Sequence, residues 1–389
     1  MKPFSSLRIV LGSTMLAKYP EGGGHWACFL QYFLGLRDLG HDVYWLEILP
    51  STQDASRDAT LSAGYFELMD QFGLKDRSLL IHADPGQEST LKNSRFIGTS
   101  CGHAAEIIKS TDLLWNFAAS FRKPLLSEFK DRALIDVDPG HLQVSSLMCD
   151  MDLPDHEHFL SVGTKINDSD CEIPTLGVAW RSFVPVLYLP MWKVRKSERE
   201  DAPFTSVTQW NWGELHLGGR VLSVSKRDAY LPYARLPLSA DVPFELAANI
   251  GEHDPEDDRG LLSGNGWHIV DPHRVCGSPA LYQHYISNAL AEFSCAKPIY
   301  RTLKTGWFSD RSAAFLASGR PVLAEDTGFS EKLPTGKGLI AFRGSEEAIE
   351  GVRTIVDDYD RHCEWARELA EEHFDHQRCL PRMLSACGY

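Results

Sequence analysis

The sequence has no Cys-x-x-Cys pair, although it carries nine cysteines. An odd number of widely spaced cysteines excludes a disulfide framework or a zinc knuckle and reads as reduced thiols in a cytoplasm. Positive charge is in deficit: 39 basic against 53 acidic residues give a formal charge of −14. Such a surface repels a nucleic-acid backbone or an anionic membrane over most of its extent, so no nucleic-acid partner is expected, while a local basic pocket stays compatible. No apolar run approaches the ~20 residues that a bilayer span needs. The stretch Met1 to Ala17 imitates a signal peptide, but Arg8 interrupts it and it reads as a first strand. The Gly-x-Gly-x-x-Gly fingerprint of a dinucleotide fold is missing too.

What is present is ordinary globular material, 43% hydrophobic and 24% charged. A length of 389 residues exceeds one normal core and predicts two domains. Leu7 to Leu11 is a short aliphatic run that suits a buried parallel strand. Gly22-Gly23-Gly24-His25 follows it, and then Trp26, Phe29, Leu30, Phe33 and Leu34 repeat at helical spacing up to Gly40. His41 to Glu47 is a second strand, which completes a βαβ opening with a glycine loop where open α/β sheets bind ligands. Further strands are expected at 79–81, 112–118 and 133–141, with helices at 61–72 and 103–109. Composition shifts to Pro, Trp and charge between Pro174 and Pro203, and that stretch contains the expected linker. A second alternating set follows, with strands starting at Phe204, Phe244, Trp267, Ala291, Pro321 and Leu339 and helix dominating from Ser345.

The most informative stretch runs from Gly306 to Leu323, GWFSDRSAAFLASGRPVL. Ser309 or Asp310 can cap a helix built on Ala313 to Ala317, which Gly319 ends before a strand at Pro321. Free amides and the positive end of the helix dipole converge at such a start, with Arg311 and the hydroxyls of Ser309 and Ser312 beside it. A phosphorylated ligand is the expectation. His25 has an ordinary pKa near ~6.5 that suits proton transfer at neutral pH; the alternative is a histidine that only caps or packs. Asp138, at the end of an expected strand, can orient His25, act as the base itself, or simply cap a turn.

These residues, together with Glu325-Asp326-Thr327-Gly328-Phe329, resemble the donor motif of glycosyltransferases with the GT-B fold. The resemblance implies two Rossmann-like α/β domains whose parallel sheets face each other across a cleft. It divides the chain into an acceptor-binding domain over 1–190, a linker over 191–203, a nucleotide-sugar-binding domain over 204–372 and a final helix over 373–389 that crosses back. It further implies that Trp307, Phe308, Ser309, Asp310, Arg311 and Ser312 hold the diphosphate, with Lys226 or Arg227 adding positive charge. Asp326, Thr327 and Gly328 would face the sugar, while Gly22, Gly23 and Gly24 would border the acceptor, a small molecule or a glycan. The chain departs from the motif at two places: Ala314 stands where many such families carry a ribose-binding glutamate, and Gly306 where they carry histidine or glutamate. The nucleotide sugar is then a co-substrate, with no separate cofactor. Three Asp-x-Asp triplets, at 136–138, 150–152 and 168–170, match the metal-chelating pair of the other large glycosyltransferase fold, but the second and third fall in turn-rich context and such triplets are common in a chain this acidic, so no metal is expected. The implied activity is metal-independent hexosyl transfer. An epimerase, a phosphorylase or a non-catalytic sugar-nucleotide binder on the same fold are the alternatives.

Overall fold

The computed structural model describes residues 6–86, 88–251 and 256–389, so the first five residues of the Met1–Ala17 stretch lie outside the described residues. The first half forms an eight-stranded sheet. Its strands are β1 (Arg8–Ser13), β2 (Asp42–Pro50), β3 (Ser78–Ala83), β4 (Arg95–Ile97), β5 (Leu113–Phe117), β6 (Arg132–Asp136), β7 (His158–Ser161) and β8 (Trp180–Ser182). They lie in the order β4-β3-β2-β1-β5-β6-β7-β8, and only the β3–β4 pair is antiparallel. The second half holds β9 (Phe204–Thr208), a hairpin of β10 (Glu214–Leu217) and β11 (Arg220–Ser223), then β12 (Phe244–Ala248), β13 (Trp267–Val270), β14 (Ala291–Ser294), β15 (Val322–Glu325) and β16 (Leu339–Phe342). Apart from the hairpin these make a six-stranded parallel sheet in the order β13-β12-β9-β14-β15-β16.

Both strand orders reverse direction once, between β1 and β5 in the first sheet and between β9 and β14 in the second. The crevice outside the carboxyl ends at such a reversal is where an open parallel sheet leaves room for a ligand. Here the two crevices face one another. The loop after β6 bonds to residues that follow β14, because Lys297 Nζ and the Tyr300 hydroxyl both donate to Asp138 at 2.5 Å.

The central strands read as near-continuous apolar runs because helices cover both faces. Val10, Leu11, Leu113, Leu114 and Trp115 are all fully buried. The first helix, Gly23–Asp38, buries eleven of its sixteen residues, since it packs on its own sheet and also against the helix Pro279–Ser287 of the second domain. Two segments cross between the domains side by side. Leu187 N donates to Phe374 O and His376 N to Leu187 O, each at 2.8 Å. The last helix, His376–Ala386, then packs against the first helix, where Gly35 leaves room for Leu380 and His376.

Three strands of the first sheet, β4, β7 and β8, and the β10–β11 hairpin do not emerge from the sequence pattern. None of them holds more than two apolar residues in a row, whereas the equally short β15 and β16 carry three and four. The hairpin has a structural use. Leu222 and Val224 at its end share one core cluster with Leu142, Val144 and Ile166 of the first domain and with Ile299 and Leu303 of the second. No described helix is long and apolar enough to cross a membrane.

Candidate functional site

The helix Asp310–Ala317 begins at the carboxyl rim of the second sheet. Ser309 caps it by accepting from Arg311 N at 3.2 Å. Asp310 adds a negative charge in the first turn, where the helix dipole stabilises it. Immediately upstream, Trp307 stacks on Tyr300 at 4.4 Å between ring centroids. Phe308 turns inward, stacked on Phe374 at 5.4 Å and edge-on to Phe329 at 5.2 Å, so it belongs to the core and lines no site. Ser312 is buried as well, and its hydroxyl has no hydrogen-bond partner among the described residues.

Lys226 opens the short helix Lys226–Tyr230 and is buried. Its Nζ donates to the carbonyl of Cys295 and lies 5.6 Å from the centre of the Trp307 ring. Among the described residues it makes no ion pair. Burial, reinforced by the nearby Arg311 guanidinium, pulls its pKa down to about 7. A buried cation without a counter-ion is costly, and an anionic ligand would remove that cost.

The other basic candidates are committed elsewhere. Arg227 reaches Asp258 at 2.7 Å and also pairs with Glu256, so its charge is satisfied away from the helix start. Arg311 turns into the sheet, where it pairs with Glu292 and donates to Val207 O and Ser294 Oγ at 2.9 Å. Burial opposes that charge, but Glu292 more than offsets this and the guanidinium stays protonated. Both side chains therefore brace the fold, contrary to the expectation that they meet a diphosphate directly.

Across the cleft, the glycine loop starts the first helix. Gly23 is buried against the second domain, and a Cβ there would stand 2.2 Å from Cys276 O and 2.4 Å from Ser278 O. A Cβ on Gly24 would meet the Tyr282 ring at 3.5 Å, and Gly22 closes a turn on Tyr19 O at 2.9 Å. The triplet thus serves close approach between the domains, and the acceptor-bordering role read from it meets a tightly packed Gly23. His25 remains exposed and stacks on Tyr19 at 5.9 Å. Protein crowds it closely enough that desolvation lowers its pKa, while the Asp310 carboxylate acts in the opposite sense. Asp310 also raises the thiol pKa of Cys28, after burial, one turn further along the same helix. The carboxylate whose charge acts on His25 is therefore Asp310 of the second domain.

Asp138 is held elsewhere. Burial works to raise its pKa, but Lys297, His141 and Tyr300 more than offset this, and it stays ionised as an inter-domain anchor. Asp326 likewise spends its oxygens on Gly328 N at 2.9 Å, Ser330 Oγ at 2.7 Å and Arg343 at 2.7 Å. Thr327 donates to Trp307 O at 2.6 Å, and Gly328 adopts a left-handed φ of +99°. These three residues shape a loop tied to Trp307 rather than presenting free polar side chains. Lys297, which sequence reasoning passed over, brings together Asp138, Tyr300 and the exposed indole of Trp212, the last at 5.8 Å. A lysine directly before a proline gives no pattern that would single it out.

No group of three or more metal-binding side chains occurs among the described residues. Two surface hollows, one around Phe66 and His103 and one around Glu245 and Arg274, contain none of these cleft residues.

No protein-family model and no curated protein sequence matches the chain. Its fold matches solved structures over its full length. TarM superposes with a TM-score of 0.64 at 10% identity, covering 100% of both chains. An alpha-glucosyltransferase in complex with UDP-glucose and DNA containing an abasic site gives 0.61 at 12% identity, over 99% of this chain and 100% of that one. HepE of Anabaena, in complex with UDP and glucose, gives 0.58 at 12% identity, over 98% and 99%. The chain has the GT-B fold.

Proposed function

We propose that this protein is a glycosyltransferase that moves a sugar from a nucleotide-sugar donor to an acceptor hydroxyl, on a small molecule or a glycan, held against the first domain. The observation that carries the reading is Lys226, a buried ammonium with no ion-pair partner among the described residues, whose Nζ lies 5.6 Å from the centre of the Trp307 ring just ahead of the Asp310–Ala317 helix. An ammonium and free helix amides together suit a diphosphate leaving group. UDP or UDP-glucose in solved structures of the same fold supports the same class of donor.

In this reading the acceptor oxygen attacks the anomeric carbon, the bond from that carbon to the diphosphate oxygen breaks, and the acceptor proton passes to His25. Asp310, whose charge acts on His25 from the other domain, favours the imidazolium that forms. Lys226 and the helix amides compensate the departing charge, so the transfer is read as metal-independent. Asp138 contributes by holding the domains together through Lys297 and Tyr300.

The test is a thermal-shift panel of nucleoside diphosphates and nucleotide sugars. A ligand present at a hundred times its Kd stabilises the folded state by about 2.7 kcal/mol, which moves a melting curve clearly. The expected result is a shift with at least one diphosphate and its loss in Lys226→Met. His25→Ala should retain donor binding and lose turnover. A panel without any shift removes the donor assignment, and unchanged turnover removes His25 from the chemistry.

A further inference from the structure

Residues 163–172, which follow β7 in the first domain, lie against two loops of the second domain. The first loop contains Gly306 at φ +67° and the second Gly328 at φ +99°. A Cβ on Gly306 would stand 2.5 Å from Thr164 Oγ1 and 2.8 Å from Lys165 Cγ. On Gly328 it would stand 2.7 Å from Lys165 Cδ. Both glycines therefore make room for Lys165 of the opposite domain, and Gly306 makes room for Thr164 as well. Hydrogen bonds fasten the contact: Thr164 Oγ1 donates to Gly306 O at 2.7 Å, Lys165 N to Thr305 O at 3.1 Å and Glu172 N to Leu303 O at 2.9 Å.

The Lys165 ammonium completes the fastening. Its side chain is only 1% exposed, and Nζ reaches Glu331 of the second domain at 2.7 Å and Asp170 of its own at 3.0 Å. Lys332 reaches back to Asp168 at 2.8 Å, a second ion pair across the seam. The two glycine loops are also joined to each other, since Gly306 N donates to Thr327 O at 3.0 Å and Thr327 Oγ1 to Trp307 O at 2.6 Å. Trp307 is the ring that lies against Lys226. A chain of short contacts thus runs from Lys165 to the cation assigned to the diphosphate.

We infer that Lys165 is a positioning residue for the donor: the first domain, through this side chain, holds the two loops of the second domain in the arrangement that receives the nucleotide sugar. This rests on the donor reading above. The physical argument is that neither loop has regular secondary structure, and each is shaped by a glycine conformation whose cavity the Lys165 stem fills. Removing the ammonium does not strand a buried charge, because Asp170 and Glu331 are 45% and 57% exposed and return to water. The effect of substitution should therefore fall on the loops and spare the global fold.

The experiment uses the full chain with Lys165→Met, and Glu331→Gln as a milder second variant. Amide hydrogen exchange over 305–307 and 326–328 is measured without ligand, and UDP binding by calorimetry. The expected result is exchange at least several-fold faster in both loops, UDP affinity at least about tenfold weaker, a raised KM for a UDP-sugar with kcat nearly kept, and an unchanged melting temperature. Exchange that does not change in either variant overturns the inference, as does UDP affinity within twofold of wild type. If Lys165→Met unfolds, Glu331→Gln decides by the same criteria. A wild-type protein that binds neither UDP nor any UDP-sugar defeats the UDP-donor reading, and the exchange data then decide alone whether Lys165 holds the loops.

Discussion

Lys226 shows how one side chain can make ligand binding depend on pH. Its pKa in the folded protein is about 7, against an ordinary value of 10.5, because burial disfavours the charged form. Between those values the unfolded chain binds a proton that the ligand-free folded protein does not, so this group makes stability rise with pH across that window. A diphosphate favours the charged form and reverses the preference, so binding takes up a proton above about pH 7. The affinity for UDP should then fall between about pH 7 and 9, by up to about tenfold per pH unit, and Lys226→Met should bind weakly with a flat profile. Calorimetry in two buffers of different ionisation heat reads the proton uptake directly. A flat wild-type profile over that range would show that Lys226 does not meet the anion.

At the scale of elements, the glycine triplet and the motif helix show how a helix start can serve packing first. Gly23 begins the first helix with its α-carbon pressed on backbone carbonyls of the second domain, which cannot move aside as a flexible side chain would. Gly23→Ala should therefore cost about 1–3 kcal/mol through forced separation of the domains. Gly24→Ala is the matched control. Its Cβ would meet the Tyr282 ring at an ordinary 3.5 Å, and the change should stay within about 0.5 kcal/mol. Urea unfolding of the two variants separates these outcomes, and equal stabilities would mean that the domain contact yields at no cost. The same close approach brings the starts of the two helices together, which is why His25 feels Asp310.

The whole molecule is held as two domains that are far from independent. Polar fastenings at Asp138 and Lys165, the mixed apolar cluster under the β10–β11 hairpin, and the paired crossings at Leu187 and Phe374 all span the seam. The last helix returns to the first domain, where Leu380, Met383 and Leu384 are buried in the cluster that contains Trp26 and Trp45. Each such side chain contributes about 1.5–3 kcal/mol by burial. Leu380→Ala should cost about 2–5 kcal/mol, and a chain ending at residue 375 should lose cooperative unfolding, since the loss approaches the whole folding margin of about 5–15 kcal/mol. Retained cooperativity in the shortened chain would show that the first domain closes its core without this helix.

By itself the sequence determined the α/β class, the alternation of apolar strands with amphipathic helices, and the helix that Ser309 caps, because each is written in local spacing that needs no distant partner. Short strands such as β7 and β8, and the hairpin that joins the domains, were illegible because none carries an apolar run longer than two residues. Which charges are free was decided only by the tertiary structure. Arg227 and Arg311 look like Lys226 in a linear reading, yet Asp258, Glu256 and Glu292 neutralise the two arginines while Lys226 meets a carbonyl and the Trp307 ring and, among the described residues, no carboxylate. Asp138 and Asp310 differ in the same way, one claimed by Lys297 and Tyr300 and the other acting on His25 of the opposite domain. A charge is neutralised by whatever stands within a few ångströms of it, and for these residues that neighbour lies 19 or more positions away along the chain.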